Sequence, residues 1–341
     1  IIVGAGPAGT TAALYAERNN LNCIVVDKAT FPRDKICGDA LSGKSVRIFD
    51  ELNLTKEIEQ LEGSEINRIT FGGPNHKHFD VHLKGNKKNN YITKGFVIPR
   101  KVFDYFLFKK AKEVTEILEG FKVKDLIYKN GKPVGIKGVN RKGDEQIIEA
   151  PIILGCDGAH SIISRKLDAY KKDMKHTAVA IRCYYEGVEG LSNQIELHYI
   201  KEVKPGYFWL FPAGGNKANI GIGLSKNDAK KEDRTLTNIM EDVTQSQYFK
   251  GRFSNAKPLE KPKGWNLPMG SIHRKNYGDG YMLLGDAAGL VDPFTGEGIG
   301  NAMVAAKYAI STAKKAKDKG DYSKNVLSEY DQLLWGEIGK E

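Results

Sequence analysis

The chain opens on a short apolar run, Ile1-Ile2-Val3, followed by a glycine-rich turn, an alanine-rich stretch over 10–19 and a second apolar run, Cys23-Ile-Val-Val26. Short apolar runs bounded by glycine read as buried strands, so residues 1–27 predict one βαβ unit. A helix is predicted over 45–61. Residues 67–92 alternate apolar and polar positions across Gly and Asn turns, as an antiparallel sheet does. A helix starts near Arg100 and runs to about 114, and a three-stranded meander follows over 120–127, 133–139 and 146–150. The run 150–155 predicts a strand leading into a helix at 162–167. Strand-like runs then occupy 177–185, 195–199, 206–212 and 218–224, with a polar helix over 234–247. The last apolar strand, 281–284, runs into a turn carrying Gly285, Gly289, Gly296, Gly298 and Gly300, and two helices complete the chain.

Parallel-type βαβ pattern at both ends and antiparallel pattern between them predict an α/β protein with two domains. The length of 341 residues supports that count, since one domain takes roughly 100–200. Lys+Arg 52 against Asp+Glu 42 leaves a net charge of +10. The surplus is dispersed lysine without an Arg-rich block, which suits anionic small molecules or lipid headgroups and excludes nucleic acid as the expected partner. Four scattered cysteines and no C-x-x-C point to a reducing cytoplasm and to no metal site. No apolar run approaches the ~18 residues of a spanning helix.

The candidate chemistry lies in the glycines and in acids at strand ends. In Gly4-Ala-Gly6-Pro-Ala-Gly9, Gly4 permits the tight turn, Gly6 lets a pyrophosphate approach and Gly9 packs helix on strand. The phosphates would meet free N–H groups at the helix N-terminus. Asp27 stands where an acid accepts ribose hydroxyls, so a dinucleotide is expected. Arg100, at a strand-to-helix junction, is a surface charge or a phosphate or ribose contact. The backbone near Val123 could meet an adenine edge. Asp157, before Gly158, and Asp286 and Asp292 are acids where strands run out. Cys37, between Lys35 and Gly38, reads as a small buried hydrophobe or as part of a flavin-proximal loop. Tyr207, Trp209 and Phe211 share one strand face and serve either a core or the wall of an apolar ligand site.

Taken in order, Gly4-x-Gly6-x-x-Gly9 with Asp27, then Arg100, then Cys156-Asp157-Gly158, then Gly285-Asp286 with Pro293-x-x-Gly296-x-Gly298 resemble the p-hydroxybenzoate hydroxylase type of flavoprotein. Within it, Lys35-Ile-Cys37-Gly38 and Tyr207-x-Trp209-x-Phe211-Pro212, followed by Gly221-x-Gly223, resemble the geranylgeranyl reductase family. Asp39 departs from that pattern, which often has glycine there, and Pro205 lies one residue nearer the aromatic motif than usual.

The resemblance implies a Rossmann-like FAD-binding domain (1–66, 95–170 and 266–341) with an interleaved antiparallel-sheet substrate domain (67–94 and 171–265). It implies that Gly4, Gly6, Ala8 and Gly9 hold the pyrophosphate and Asp27 the adenosine ribose. Cys37, Gly38 and Ala40 would line the flavin, with Cys37 a candidate catalytic group, and Arg100 and Asp157 would reach the cofactor. Val123 would meet adenine, Asp286 the ribityl-phosphate region, and Gly298 and Ile299 would offer N–H groups to the isoalloxazine. Tyr207, Trp209 and Phe211 would wall the substrate. The implied reaction saturates C=C bonds of an isoprenoid, a geranylgeranyl-type prenyl lipid or diphosphate, with hydride from reduced flavin. The alternative is a flavin-dependent monooxygenase or halogenase. NAD(P)H or ferredoxin would be the external electron donor, and the expected location is cytoplasmic, with peripheral contact at the inner membrane face open.

Overall fold

The computed structural model describes residues 1–83, 94–169 and 173–339. The chain divides into two compact units, one of Ile1–Arg33, Asp104–Lys172 and Pro268–Glu341, the other of Asp34–Phe103 and Asp173–Leu267. Residues 34–66 and 95–103, expected with the nucleotide-binding part, therefore group with the second unit. Local pairing explains it: Ala40–Leu41 and Ser64–Ile66 flank Gly95–Val97 in a small antiparallel sheet whose strands all come from this segment.

The first unit is built on a six-stranded sheet in the order Tyr277–Gly278, Tyr281–Leu283, Ile153–Gly155, Ile2–Val3, Ile24–Asp27 and Glu116–Glu119. All neighbours are parallel except the first pair. The central strands are fully apolar because helices cover the sheet. Pro7–Arg18 packs against Ile299–Lys319, which packs in turn on Lys324–Ile338. The meander forms as expected, from Lys122–Lys129, Lys132–Val139 and Glu145–Glu149. The edge strand Glu116–Glu119 is not evident in the sequence pattern, being four residues with two glutamates.

The second unit carries an eight-stranded sheet. Its path runs Lys257–Pro258, Thr177–Glu186, Lys217–Ser225, Tyr207–Pro212, Gln194–His198, Arg68–Gly72 and His78–His82, with Lys263–Pro268 pairing Thr177–Glu186. The register puts Phe208, Leu210, Ile220 and Ile222 on one face, against Ile239, Met240 and Val243 of helix Leu236–Gln245. Within 67–92 the sheet uses Arg68–Gly72 and His78–His82, and 84–92 lies outside the described residues. The single helix expected over 45–61 is two pieces, Gly43–Glu51 and Thr55–Ile58. Asn53, at φ +59°, turns the chain between them in a conformation asparagine tolerates and a helix does not.

Candidate functional site

In the first unit the carboxyl ends of four neighbouring strands bring together what lies far apart in sequence. The Ile2–Val3 strand hands over to Gly4, and its neighbours end at Asp27, Gly155 and Leu283, leading to Asp157 and Asp286. This is where open α/β sheets bind ligands. Gly4 has φ +107°, and a Cβ there would lie 2.4 Å from the Cys156 carbonyl oxygen; one on Gly9 would lie 1.8 Å from the Gly4 carbonyl oxygen. Asp27 ties the turn from below: Ala5 N donates to Oδ2 and Ala29 N to Oδ1, each at 2.7 Å. A carboxylate has about four acceptor positions, so two remain for the ribose hydroxyls expected there. Gly6 is the N-cap of Pro7–Arg18 with no side-chain cap, and Arg33 Nη2 would stand 3.3 Å from a Cβ at Gly6. Arg33 is held there through Nη1, which donates to the buried Asp104 at 2.5 Å. Sequence reading does not single out Arg33, because the partner that fixes it, Asp104, lies 71 positions away.

At the other end of the cradle, a Cβ on Gly298 would be 3.5 Å from Asp286 Oδ1. Gly298 is the N-cap of Ile299–Lys319, again without a side-chain cap, which leaves the positive end of a 21-residue helix facing that position. Asp157, expected to reach the cofactor, is also tied into the fold locally. Its Oδ1 accepts Ser161 Oγ at 2.5 Å and its Oδ2 accepts Ile162 N at 2.7 Å, so the carboxylate caps the helix Ile162–Lys166. Val123 lies on the meander, opposite Gly138.

The second unit joins the two sequence motifs that single this chain out. Trp209 lies over Gly221, whose Cβ would be 2.2 Å from the indole Cζ2. Its Nε1 donates to Asn219 Oδ1 at 2.9 Å, while Asn219 Nδ2 donates to the Cys37 carbonyl at 2.8 Å and to Asp39 Oδ2 at 2.7 Å. A Cβ on Gly38 would touch the Phe211 ring at 3.1 Å. Tyr184 also donates to Asp39 Oδ2. Asp39 is wholly buried at φ +68°, and burial pushes its carboxyl up to about 6, against the pull of the Tyr184 and Asn219 hydrogen bonds and of the Arg182 and Arg100 charges. Arg100 is buried at the start of Arg100–Val114, and Ala40 pairs with Val97.

The register also makes one sheet face continuous. Phe79 and Val81 lie opposite Phe71 and Ile69, these opposite Leu197 and Ile195, and Leu197 opposite Trp209. Beyond Trp209 and Phe211 come Gly221 and Asn219, then Arg182 and Tyr184. Trp209 and Phe211 are buried while Phe79 is 62% exposed, so an apolar strip runs from solvent to a buried acid. Gly4, Gly6, Ala8, Gly9, Asp27, Val123, Asp157, Asp286, Gly298 and Ile299 thus fall in the first unit, and Cys37, Gly38, Ala40, Arg100, Tyr207, Trp209 and Phe211 in the second.

The strand-end cradle defines a nucleotide-binding α/β protein, and the model of the FAD binding domain family matches residues 1–332. The protein of Methanococcus vannielii named digeranylgeranylglycerophospholipid reductase is 31% identical over 99% of this chain and 82% of its own length. A geranylgeranyl bacteriochlorophyll reductase-like structure from Thermoplasma acidophilum superposes with a TM-score of 0.85 at 25% identity, covering 98% of this chain and 82% of that one. A flavin-dependent brominase has a TM-score of 0.84 at 22% identity, covering 98% and 83%, which is likeness of fold. The chain belongs to the FAD binding domain family and, within it, to the geranylgeranyl reductase family of flavin-dependent oxidoreductases. The residues present fit the cofactor: the helix N-termini at Gly6 and Gly298 carry no side-chain cap and would suit a pyrophosphate and an electron-rich ring edge, with the Arg33 guanidinium beside Gly6.

Proposed function

We propose that the protein reduces C=C bonds in the isoprenoid chains of a prenyl lipid, of the digeranylgeranyl glycerophospholipid class for which its relative is named. FAD, when bound, supplies the hydride. In the first unit, Gly4, Gly6, Ala8, Gly9 and Arg33 bind its pyrophosphate, Asp27 its ribose and Asp286 its ribityl-phosphate region, with N–H groups of Gly298 and Ile299 toward the ring. In the second, Tyr207, Trp209 and Phe211 hold the hydrocarbon and keep water out. Cys37 and Gly38 stay in this reading as the loop fixed against Trp209 by Asn219.

The observation that carries the reading is the apolar strip from exposed Phe79 to buried Trp209, ending in polar groups instead of more core. Such a surface suits a long hydrocarbon with one reactive position deep inside. A compact aromatic substrate, as a halogenase of this fold would need, leaves the outer half of the strip without purpose. The net charge of +10 favours peripheral contact with anionic headgroups, and among the described residues no helix is long and apolar enough to cross a membrane. NAD(P)H or ferredoxin would reload the cofactor.

The test is anaerobic incubation of FAD-loaded, dithionite-reduced protein with geranylgeranyl glycerophospholipid, followed by mass spectrometry. A gain of two mass units for each double bond is expected. An unchanged lipid, or a product gaining oxygen or halogen under air, would refute the reading.

A further inference from the structure

Resting on that reading, we propose that Tyr184 gives the alkene its proton and that Asp39 restores the proton to Tyr184. The cofactor accounts for one of the two hydrogens added to a double bond. The other must come from an acid at the hydrocarbon end of the site, and the apolar strip closes on only a few polar side chains.

Tyr184 is the one whose position suits the task. The register places it opposite Asn219, which lies opposite Phe211, so its side chain shares the face of the aromatic row and packs against the Trp209 cluster. It is half-buried, and its hydroxyl is hydrogen-bonded to Asp39. The Arg182 guanidinium lies 4.2 Å from the centre of its ring, itself anchored to Asp34 and Glu260. Phenol and carboxyl are thus in contact at the inner end of the strip, the carboxyl wholly buried and the tyrosine half-buried.

Asp39 has the features of a proton store. Its Oδ2 receives both Tyr184 and Asn219, whereas Oδ1, fully buried, has no hydrogen-bond partner among the described residues. A buried carboxylate oxygen without a donor is costly, and protonation removes that cost. The groups facing it are Arg182 and Tyr184 from one strand, Asn219 from the next and Arg100 from the helix, while its own backbone N–H donates to Cys37 Sγ at 3.3 Å. Two cations do not overcome burial, and the carboxyl sits near 6. Tyr184 is held far above the usual phenol range by burial and by the negative charge of Asp39. Protonating Asp39 removes that charge and frees the phenol proton.

The step balances. One alkene carbon takes the hydride equivalent from the reduced cofactor, which ends oxidised. The Tyr184 O–H bond breaks as a C–H bond forms at the other carbon, the phenolate takes the carboxyl proton of Asp39 across their hydrogen bond, and the pair regains one proton from water through the half-buried Tyr184 hydroxyl. Because the loaded form is the protonated one, turnover should fall as pH rises through about 6.

The experiment uses FAD-loaded, dithionite-reduced protein with geranylgeranyl glycerophospholipid from about pH 5 to 8. Tyr184→Phe should lower turnover about 100-fold or more, the scale of general-acid catalysis, with unchanged FAD content and unchanged flavin reoxidation by oxygen. Asp39→Asn, which suits the left-handed backbone there, should leave a slow, pH-flat reaction. Independently of turnover, difference infrared spectra of the wild type should show a protonated carboxyl band titrating near 6 that Asp39→Asn removes and Tyr184→Phe shifts. Full turnover in Tyr184→Phe, or no such band in the wild type, overturns the proposal while the reductase reading stands. A wild type that leaves the lipid unchanged removes both. If Tyr184→Phe fails to fold, the wild-type band and the Asp39→Asn profile still decide.

Discussion

The residue that best repays separate study is Arg33. A lone arginine in a basic loop is usually a solvated charge, but here Asp104 fixes the guanidinium through Nη1 and leaves Nη2 beside Gly6. Pairing to a buried carboxylate restricts its rotamers before any ligand arrives, so little entropy is lost when a phosphate binds. A charge-assisted hydrogen bond contributes roughly 1.5–3 kcal/mol. Arg33→Ala is accordingly expected to weaken FAD about 10- to 100-fold, read by flavin fluorescence during titration of the apoprotein. Arg33→Lys should recover only part of that, because an ammonium cannot hold Asp104 and a phosphate in the same fork geometry. Equal affinity in Arg33→Ala and wild type would show that Arg33 serves only to pair Asp104.

At the scale of elements, the Lys217–Ser225 strand shows how neighbouring glycines of one motif differ in purpose. Gly221 and Gly223 are two residues apart on the same face. A Cβ on Gly221 would strike the Trp209 ring and the Ile181 carbonyl oxygen, both at 2.2 Å, whereas one on Gly223 would meet nothing nearer than 3.8 Å. Gly221→Ala should therefore displace the indole and its bond to Asn219, costing about 1–3 kcal/mol of stability and raising the KM for lipid. Gly223→Ala should be close to neutral in thermal melts and in KM.

The nucleotide half was legible in the sequence because its signals are local: strand, glycine turn, helix and acid all fall within residues 1–27. The polar cluster of the second unit was not, because Asp39 meets Tyr184 and Asn219 across 145 and 180 positions. Sequence reading noticed Asp39 only as a departure from pattern. The split of 45–61 was missed because one asparagine at positive φ interrupts an otherwise helical apolar period. That the Asp157 carboxylate caps the helix at Ile162 was likewise not legible, because spacing alone does not choose a carboxylate's partners.

For the whole molecule, the large sheet sets two buried carboxylates against opposite faces, and they act on stability with opposite sign. Glu196, side by side with His198 on the face away from Trp209, receives Arg252 Nη1 at 2.8 Å on both oxygens and His198 at 3.0 Å. Burial alone would raise its pKa, but these partners lower it below the ordinary 4.5. Its folded-state pKa lies below the unfolded one, so its contribution is present above pH 4.5 and is lost as pH falls through the folded value. Asp39 is raised from 3.8 to about 6, so its contribution is full below 3.8 and is lost as pH rises through 6.

Glu196→Gln should thus destabilise at pH 7, by about 3 kcal/mol because it breaks a buried pair, and lose that penalty in acid. Asp39→Asn should instead stabilise at pH 7, by about 1–3 kcal/mol from a shift of roughly two units, and lose the advantage near pH 4. Denaturant unfolding of both variants at the two pH values measures this. The carboxylates share no hydrogen-bond partner, so the double variant should add the two effects. Destabilisation by Asp39→Asn at neutral pH would mean that the carboxylate is there for the fold. A gain in stability with a loss of turnover would mean that the molecule keeps a strained acid at the inner end of its apolar face for chemistry.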